Sequence, residues 1–236
     1  MPRSRREYPS AARIEDTIAM QIRDSLRETI RHSPLYPWVQ RSLEWVRAER
    51  DLRLWVRRGA SGSPPHVVKQ GVVREHARRY GLRTLIETGT YFGNMVDVMR
   101  REMDRVVSIE VDTNLAALAR HRFEGDRKVT IIQGDSAKVM ADLVPTLDAP
   151  ALFWLDGHYS GGETSFGESH CPIMQELPPI LTDARFAHVI LIDDARTFGS
   201  DPAYPSVEEV RALVARYRPD LEFSLANDIL RFAPAR

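Results

Sequence analysis

The chain has 236 residues, 43% hydrophobic and 28% charged, a composition that is typical of a globular protein and excludes a disordered or collagen-like one. Its 33 basic and 33 acidic residues give a formal net charge of zero, which disfavours a strongly basic nucleic-acid-binding protein. No apolar run approaches the roughly 18 residues of a spanning helix, and the single cysteine, Cys171, excludes an intrachain disulfide, so we expect a cytoplasmic protein.

The first 62 residues are expected to form a helical extension. Apolar residues recur every four positions from Ile14 to Ile30, which predicts one helix that ends at Ser33-Pro34. A second helix is predicted over residues 38–58. Because residues 1–58 carry 13 arginines and only 8 acids, we expect this basic extension to pack on the following domain, to act as a lid, or to form a homodimer surface.

Residues 63–236 are expected to form a second domain in which strands and helices alternate. Strands are predicted at 84–86, 105–109, 129–133, 151–155 and 188–192, with helices at 67–80, 93–103, 115–123, 137–144, 172–181 and 206–217. The last segment, 221–232, predicts two strands joined by an Asn227-Asp228 turn. The fold class is therefore α/β and Rossmann-like, a mostly parallel sheet covered on both faces, with one antiparallel strand from the C-terminal hairpin.

A glycine-containing turn follows the first of these strands. The strand ends in Glu87, Gly89 lets the backbone turn tightly and approach a ligand, and a helix begins near Gly93. The N-terminus of that helix presents free N–H groups. The spacing departs from the G-x-G-x-x-G dinucleotide pattern, and the absence of G-K-S/T excludes a P-loop.

Acidic residues also end the next two strands. Glu110 lies 21 residues after Gly89, the place where a carboxylate binds ribose hydroxyls in nucleoside-binding sheets. Asp135 and Ser136 follow the third strand. Any one of these acids taken alone would more often be a helix cap, but together they indicate a nucleoside site.

With these residues in place, the chain from residue 66 to the end resembles the class I S-adenosylmethionine-dependent methyltransferases. The resemblance implies a seven-stranded sheet with one antiparallel strand. It also implies that Glu87 and Gly89 face the methionine part of S-adenosyl-L-methionine, that Glu110 binds the ribose, and that Asp135 and Ser136 lie on the adenine side. Three further residues of the first turn are assigned to the same cofactor site: Tyr91, Gly93 and Asn94.

Three aspartates follow the fourth and fifth strands. If these strands are neighbours, Asp156 converges with the Asp193-Asp194 pair at one edge of the sheet, where the carboxylates would repel unless a cation joined them. Oxygen-only ligands suit Mg²⁺, and also Mn²⁺ or Ca²⁺. The arrangement resembles the divalent-metal-dependent O-methyltransferases of the catechol and macrolide-sugar type. The alternative is that Asp193 or Asp194 caps a helix or turn.

A general base is expected close to Asp156. His158 leaves the same strand end, and its neutral imidazole can accept a proton near pH 7, so His158 and Asp156 are the predicted catalytic residues. Tyr159 is the second candidate. The glycine-containing loop of residues 157–171 has the length of a mobile active-site segment.

Together, these features predict metal-assisted O-methylation of a small hydroxylated molecule such as a sugar or natural product, with no nucleic-acid or membrane partner. One alternative is a metal-independent N- or carboxyl-methyltransferase of the same fold. The other is a non-catalytic scaffold protein that keeps the nucleoside pocket.

Overall fold

The structure, a computed structural model, describes residues 36–157 and 171–235. The helix predicted before Ser33 and most of the loop that contains His158 lie outside these residues. The chain divides into two compact units, 1–51 and 52–236, and the second contains the entire sheet. The predicted domain boundary, residues 62 and 63, lies in the loop after the first described helix. Within the described ranges, no helix combines the length and apolarity needed to cross a bilayer.

Seven α-helices and seven strands make up the described part of the chain. The helices are α1 Tyr36–Arg57, α2 His66–Arg79, α3 Asn94–Met99, α4 Thr113–Arg122, α5 Ser136–Leu143, α6 Ile173–Thr182 and α7 Val207–Tyr217. The strands are β1 Thr84–Thr88, β2 Arg105–Glu110, β3 Val129–Gln133, β4 Ala151–Leu155, β5 Val189–Ile192, β6 Leu221–Ala226 and β7 Ile229–Pro234. Short 3₁₀ turns follow α5 and β5.

All seven strands form one sheet in the order β3-β2-β1-β4-β5-β7-β6. The strands β1 to β5 are parallel, and β7 runs antiparallel to both β5 and β6. This confirms the predicted Rossmann-like sheet with one antiparallel strand. The strand order reverses between β1 and β4, and in such sheets ligands bind at the carboxyl ends of the strands beside this reversal.

The central strands are apolar on both faces because helices cover both sides of the sheet. Every residue of β4 and β5 is buried. Phe153 and Ile190 pack on the face covered by α5, α6 and α7, whereas Trp154 and Leu191 pack on the face covered by α2, α3 and α4. This double burial explains why the two strands are uninterrupted apolar runs in the sequence.

Helix caps and a tight turn define several of the element boundaries. Asp112 caps α4 by accepting hydrogen bonds from two backbone N–H groups, and Ser206 forms a capping box with Glu209 at the start of α7. Asn227 and Asp228 both adopt positive φ in the β6–β7 turn, as a tight hairpin requires.

One predicted helix is shorter than expected. α3 ends at Met99 and not near residue 103. Beyond it the chain tightens into a turn, in which the N–H groups of Glu102 and Met103 both donate to the Met99 carbonyl. The N–H of Asp104 then donates to the Arg83 carbonyl, which directs the chain into β2.

Candidate active site at the carboxyl edge of the sheet

The turn after β1 depends on two glycines in the left-handed region. Gly89 has φ +82°, and its N–H donates to the Ile109 carbonyl over 2.9 Å. A Cβ atom at this position would lie 2.4 Å from the backbone oxygen of Asp156, so only glycine permits the β1 and β4 loops to approach this closely. Gly93 has φ +74° and precedes α3, where a Cβ atom would collide with the Phe123 ring.

Glu110 holds this turn from the end of β2. Its Oε2 accepts the backbone N–H of Tyr91 at 2.8 Å, and its Oε1 accepts that of Asp112 at 3.0 Å. Tyr91 has φ +49°, an uncommon conformation for a residue with a side chain, and its ring is half exposed. The carboxylate of Glu110 therefore shapes the loop, and each of its oxygens retains a lone pair for a ligand.

Glu87 is buried between the first two strands. It accepts a hydrogen bond from Ser108 Oγ at 2.6 Å, and the Ser108 hydroxyl is also within 2.6 Å of that of Thr90. Burial raises the pKa of Glu87 to about 8, although the Ser108 hydrogen bond opposes this rise and the nearby Glu110 adds to it. At neutral pH the folded protein therefore favours the protonated form of Glu87.

Asn94 and Asp135, two further predicted cofactor residues, lie at the same edge and form hydrogen bonds within the protein. Asn94 Oδ1 accepts a hydrogen bond from Arg122 at 2.9 Å. Asp135 caps α5 and accepts the Ala137 N–H at 3.0 Å, as the helix-cap alternative predicts. The Gly134 N–H donates to the Glu110 carbonyl over 2.9 Å, which joins the β2 and β3 ends.

The three predicted metal-site aspartates converge. β4 and β5 are neighbours, with Leu155 opposite Ile192, and the Asp193 N–H donates to the Leu155 carbonyl over 3.1 Å. One carboxylate oxygen from each of Asp156, Asp193 and Asp194 lies within 4.8 Å of the others. Asp193 is fully buried, and its Oδ1 has no hydrogen-bond partner among the described residues.

A lysine that the sequence interpretation did not include extends into this cluster. The ammonium of Lys69, in the first turn of α2, contacts Oδ2 of Asp193 and lies 3.3 Å from Oδ1 of Asp194. Asp194 also accepts a hydrogen bond from Arg196 at 2.8 Å. The only sequence signal for Lys69 is the rarity of its type, since lysines are three of the 33 basic residues.

Burial and like charges shift the pKa values of the cluster. Burial raises the pKa of Asp156 well above its usual range; Asp193 adds to this rise and Lys69 opposes it. Burial likewise raises the pKa of Asp193 to about 6, against the effect of Lys69. Burial alone would lower the pKa of Lys69, but the three aspartates more than offset this effect, and the ammonium stays protonated.

Glu176 is a second residue that the sequence interpretation missed. It lies on α6 between Ile173 and Leu177 and is completely buried, yet neither of its oxygens has a hydrogen-bond partner in the described ranges. Burial raises its pKa to about 7, and the hydroxyls of Ser136 and Thr88 lie close enough to oppose the rise without reaching hydrogen-bond geometry. An acid on the apolar stripe of an otherwise amphipathic helix was the signal that could have identified it.

The predicted base, His158, and its alternative Tyr159 lie outside the described residues. Gly157 is described and closely approached: a Cβ atom there would lie 3.0 Å from Thr88 Oγ1 and 3.3 Å from Glu176 Oε1. The assignment of His158 or Tyr159 as the base stays a prediction.

The acidic cluster fits a divalent cation in the type and spacing of its donors. It supplies carboxylate oxygens from three residues, and Oδ1 of Asp193, which no described residue contacts by a hydrogen bond, is a buried acceptor that a cation would satisfy. The Lys69 ammonium contacts two of the three carboxylates, so the site already interacts with one positive charge.

Comparison with solved structures finds this fold in several methyltransferases. An O-methyltransferase from Bacillus cereus in complex with SAH (S-adenosylhomocysteine) matches with a TM-score of 0.55 and 15% identity, over 80% of this chain and 90% of that one. The SAH-bound methyltransferase PaMTH1 from Podospora anserina matches with a TM-score of 0.53 and 14% identity, over 98% and 99% of the two chains. The O-methyltransferase TomG from Streptomyces achromogenes, in complex with SAM, matches with a TM-score of 0.51 and 20% identity, over 80% and 88%.

These likenesses show that the chain has the fold of the class I O-methyltransferases, as the sequence resemblance implied. No protein-family model and no curated protein matches the sequence.

Proposed function

We propose that this protein is an S-adenosylmethionine-dependent methyltransferase that methylates an oxygen of a small hydroxylated molecule. The observation that carries the proposal is the placement of Glu87, Glu110 and Asp135 at the carboxyl ends of β1, β2 and β3, beside the reversal of strand order. The shared fold with proteins bound to SAM or SAH supports it.

The cofactor would lie along this edge of the sheet. Glu110 retains lone pairs that can accept the ribose hydroxyls, while the Gly89 turn lets the methionine part approach the backbone. Asp135 and Ser136 would contact the adenine, and Tyr91, Gly93 and Asn94 complete the turn. The pKa values of Glu87 and Asp156 are raised, and a cationic ligand would favour their ionised forms. The cofactor carries such a charge on its sulfonium, which its demethylated product lacks.

Methyl transfer requires the acceptor oxygen to be held in line with the S–CH₃ bond. The oxygen lone pair forms the new bond to the methyl carbon while the C–S bond breaks. The electron pair of the C–S bond returns to sulfur, which becomes a neutral thioether. His158 would accept the hydroxyl proton. A divalent cation such as Mg²⁺, Mn²⁺ or Ca²⁺, held by Asp156, Asp193 and Asp194, would lower the pKa of the acceptor hydroxyl.

A metal-independent N- or carboxyl-methyltransferase is the second candidate, and the contact between Lys69 and Asp193 favours it. The ammonium already compensates part of the negative charge of the cluster. A hydroxyl acceptor benefits most from a metal because it must lose a proton of high pKa, whereas an amine or carboxylate acceptor has less need of one.

Methyl transfer to a panel of acceptors distinguishes these alternatives. The protein is incubated with S-adenosylmethionine labelled in its methyl group, together with catechols, hydroxylated sugars, amines and carboxylates, in EDTA or in Mg²⁺. The proposal predicts label on a hydroxyl acceptor, lost in EDTA and restored by Mg²⁺. Label on amines or carboxylates in EDTA would favour the second candidate, and SAH binding without any turnover would favour a non-catalytic scaffold.

The proposal extends to partners and location. A small-molecule acceptor is proposed, with no nucleic-acid or membrane partner, and a homodimer is proposed through the helices of the first 62 residues. A cytoplasmic location agrees with the single cysteine, which is buried. TomG, one of the structural neighbours, is involved in tomaymycin synthesis, which is in line with a natural-product acceptor.

A further inference from the structure

Lys69 occupies an unusual position for a lysine. It lies in the first turn of α2, where the helix dipole disfavours a positive charge, and its side chain is only 12% exposed. Both features are unfavourable for an ammonium group unless carboxylates compensate them. Asp193 and Asp194 supply this compensation through direct contacts.

The same oxygens are the ones that a divalent cation would need. Lys69 contacts Oδ2 of Asp193 and Oδ1 of Asp194, two of the three carboxylates that converge in the cluster. A metal ion bonded to these carboxylates would lie a few ångströms from the ammonium. Because like charges this close repel each other, binding of a metal ion would disfavour the ammonium at the same carboxylates.

The side chain of Lys69 is of a type that can reorient. It is a flexible four-carbon chain that ends in a compact point charge, and it is not anchored by the planar, two-pronged geometry of an arginine. Asp193 Oδ1 is buried and has no hydrogen-bond partner in the described part of the chain, so a cation with a higher charge would gain an acceptor that Lys69 leaves unsatisfied.

We propose that Lys69 is an intrinsic competitor of the divalent cation, a tethered ammonium that neutralises Asp193 and Asp194 until a metal ion displaces it. Lys69 thereby sets the metal affinity of the site. This inference rests on the cation site of the proposed function, but it concerns metal binding and not turnover.

Metal affinity in Lys69 variants is the first test. Calorimetry with Mn²⁺ alone is carried out on the wild-type protein, on Lys69→Met, which removes the charge, and on Lys69→Arg, which keeps it. We expect Lys69→Met to bind Mn²⁺ about tenfold or more tightly than the wild type, because a like charge is removed. Lys69→Arg should bind no more tightly than the wild type, and the exposed Lys138→Met serves as the matched control.

A second measurement needs no variant, since Lys69→Met leaves buried carboxylates without their ion pair and can fail to fold. Lysines of the wild-type protein are acetylated briefly with and without Mn²⁺, and the sites are quantified by mass spectrometry. Displacement from Asp193 should increase labelling of Lys69 severalfold and leave that of Lys138 unchanged.

Three results would overturn the proposal: equal or weaker Mn²⁺ binding in a folded Lys69→Met, no Mn²⁺ binding by either protein, or labelling of Lys69 that Mn²⁺ does not change. Binding of S-adenosylhomocysteine, measured on the same samples, is independent of these outcomes. Failure of the cofactor proposal is therefore distinguishable from failure of the proposal on Lys69.

Discussion

Gly89 and Asp156 meet at the carboxyl edge of the sheet so closely that a Cβ atom on Gly89 would lie 2.4 Å from the Asp156 backbone oxygen. The contact joins the loop assigned to the cofactor to the loop that carries the first aspartate of the acidic cluster. A change at this contact would therefore affect both the cofactor loop and the loop that carries Asp156.

Gly89→Ala tests this junction. The positive φ and the collision with Asp156 should together destabilise the protein by about 2–4 kcal/mol and weaken cofactor binding. Gly125→Ala is the matched control, because Gly125 has a similar φ of +80° but no atom of the described residues within 4 Å of its Cβ position. Denaturant unfolding measures both variants, and equal losses of stability would show that the close approach has no energetic consequence.

Glu176 should make stability depend on pH. Its pKa is about 7 in the folded protein against an ordinary value of 4.5, so the folded state binds the proton more tightly than the unfolded state. The contribution of this protonation to folding stability is fully present below about pH 4.5 and is lost as the pH rises through about 7. The glutamine of Glu176→Gln cannot ionise, so its unfolding free energy should not show this loss. Measured against the wild type, the variant should therefore gain about 2–3 kcal/mol of stability between pH 4 and pH 8.

Unfolding free energies at pH 4, 6 and 8 provide this comparison. Glu222→Gln, on the exposed face of β6, is the control and should not reproduce the effect. A Glu176→Gln protein whose stability follows that of the wild type at all three pH values would refute the raised pKa of the buried Glu176 carboxyl.

His158→Ala tests the predicted base. The variant should retain cofactor and metal binding but lose about 10²–10⁴ in kcat, the usual contribution of one general base, together with the acidic limb of the pH–rate profile. His121→Ala, at a highly exposed position of α4, is the control. A near-normal kcat with an unchanged pH profile in His158→Ala would move the role to another group such as Tyr159.

The sequence alone predicts the sheet and the aspartate cluster because both depend on local patterns. Uninterrupted apolar runs indicate doubly covered strands, and Asp156 and Asp193 each directly follow such a run, so pairing of β4 with β5 is enough to bring them together. Lys69 lies 124 residues before Asp193 on a helix that precedes the whole sheet. Its role depends on how α2 packs, which no local pattern records.

Glu110 and Glu176 also show that the sequence alone does not predict contacts that depend on tertiary structure. The spacing of Glu110 indicates a ribose ligand, but its hydrogen bond to the Tyr91 N–H follows from the left-handed backbone of Tyr91, which nothing in the residue type predicts. Glu176 could have been noticed as an acid on an apolar stripe. Its position close to Gly157, however, depends on the tertiary packing of α6.

The central claim is that this edge of the sheet binds S-adenosylmethionine, and calorimetry with S-adenosylhomocysteine tests it most directly. The account predicts one site per chain in the wild-type protein, and affinity about 10- to 100-fold weaker in Glu110→Ala, because charge-assisted hydrogen bonds to the ribose are lost. Glu110→Gln separates loss of charge from loss of loop support, and the exposed Glu124→Ala should bind as the wild type does. A folded wild-type protein that binds NAD or ATP but not S-adenosylhomocysteine would contradict the account.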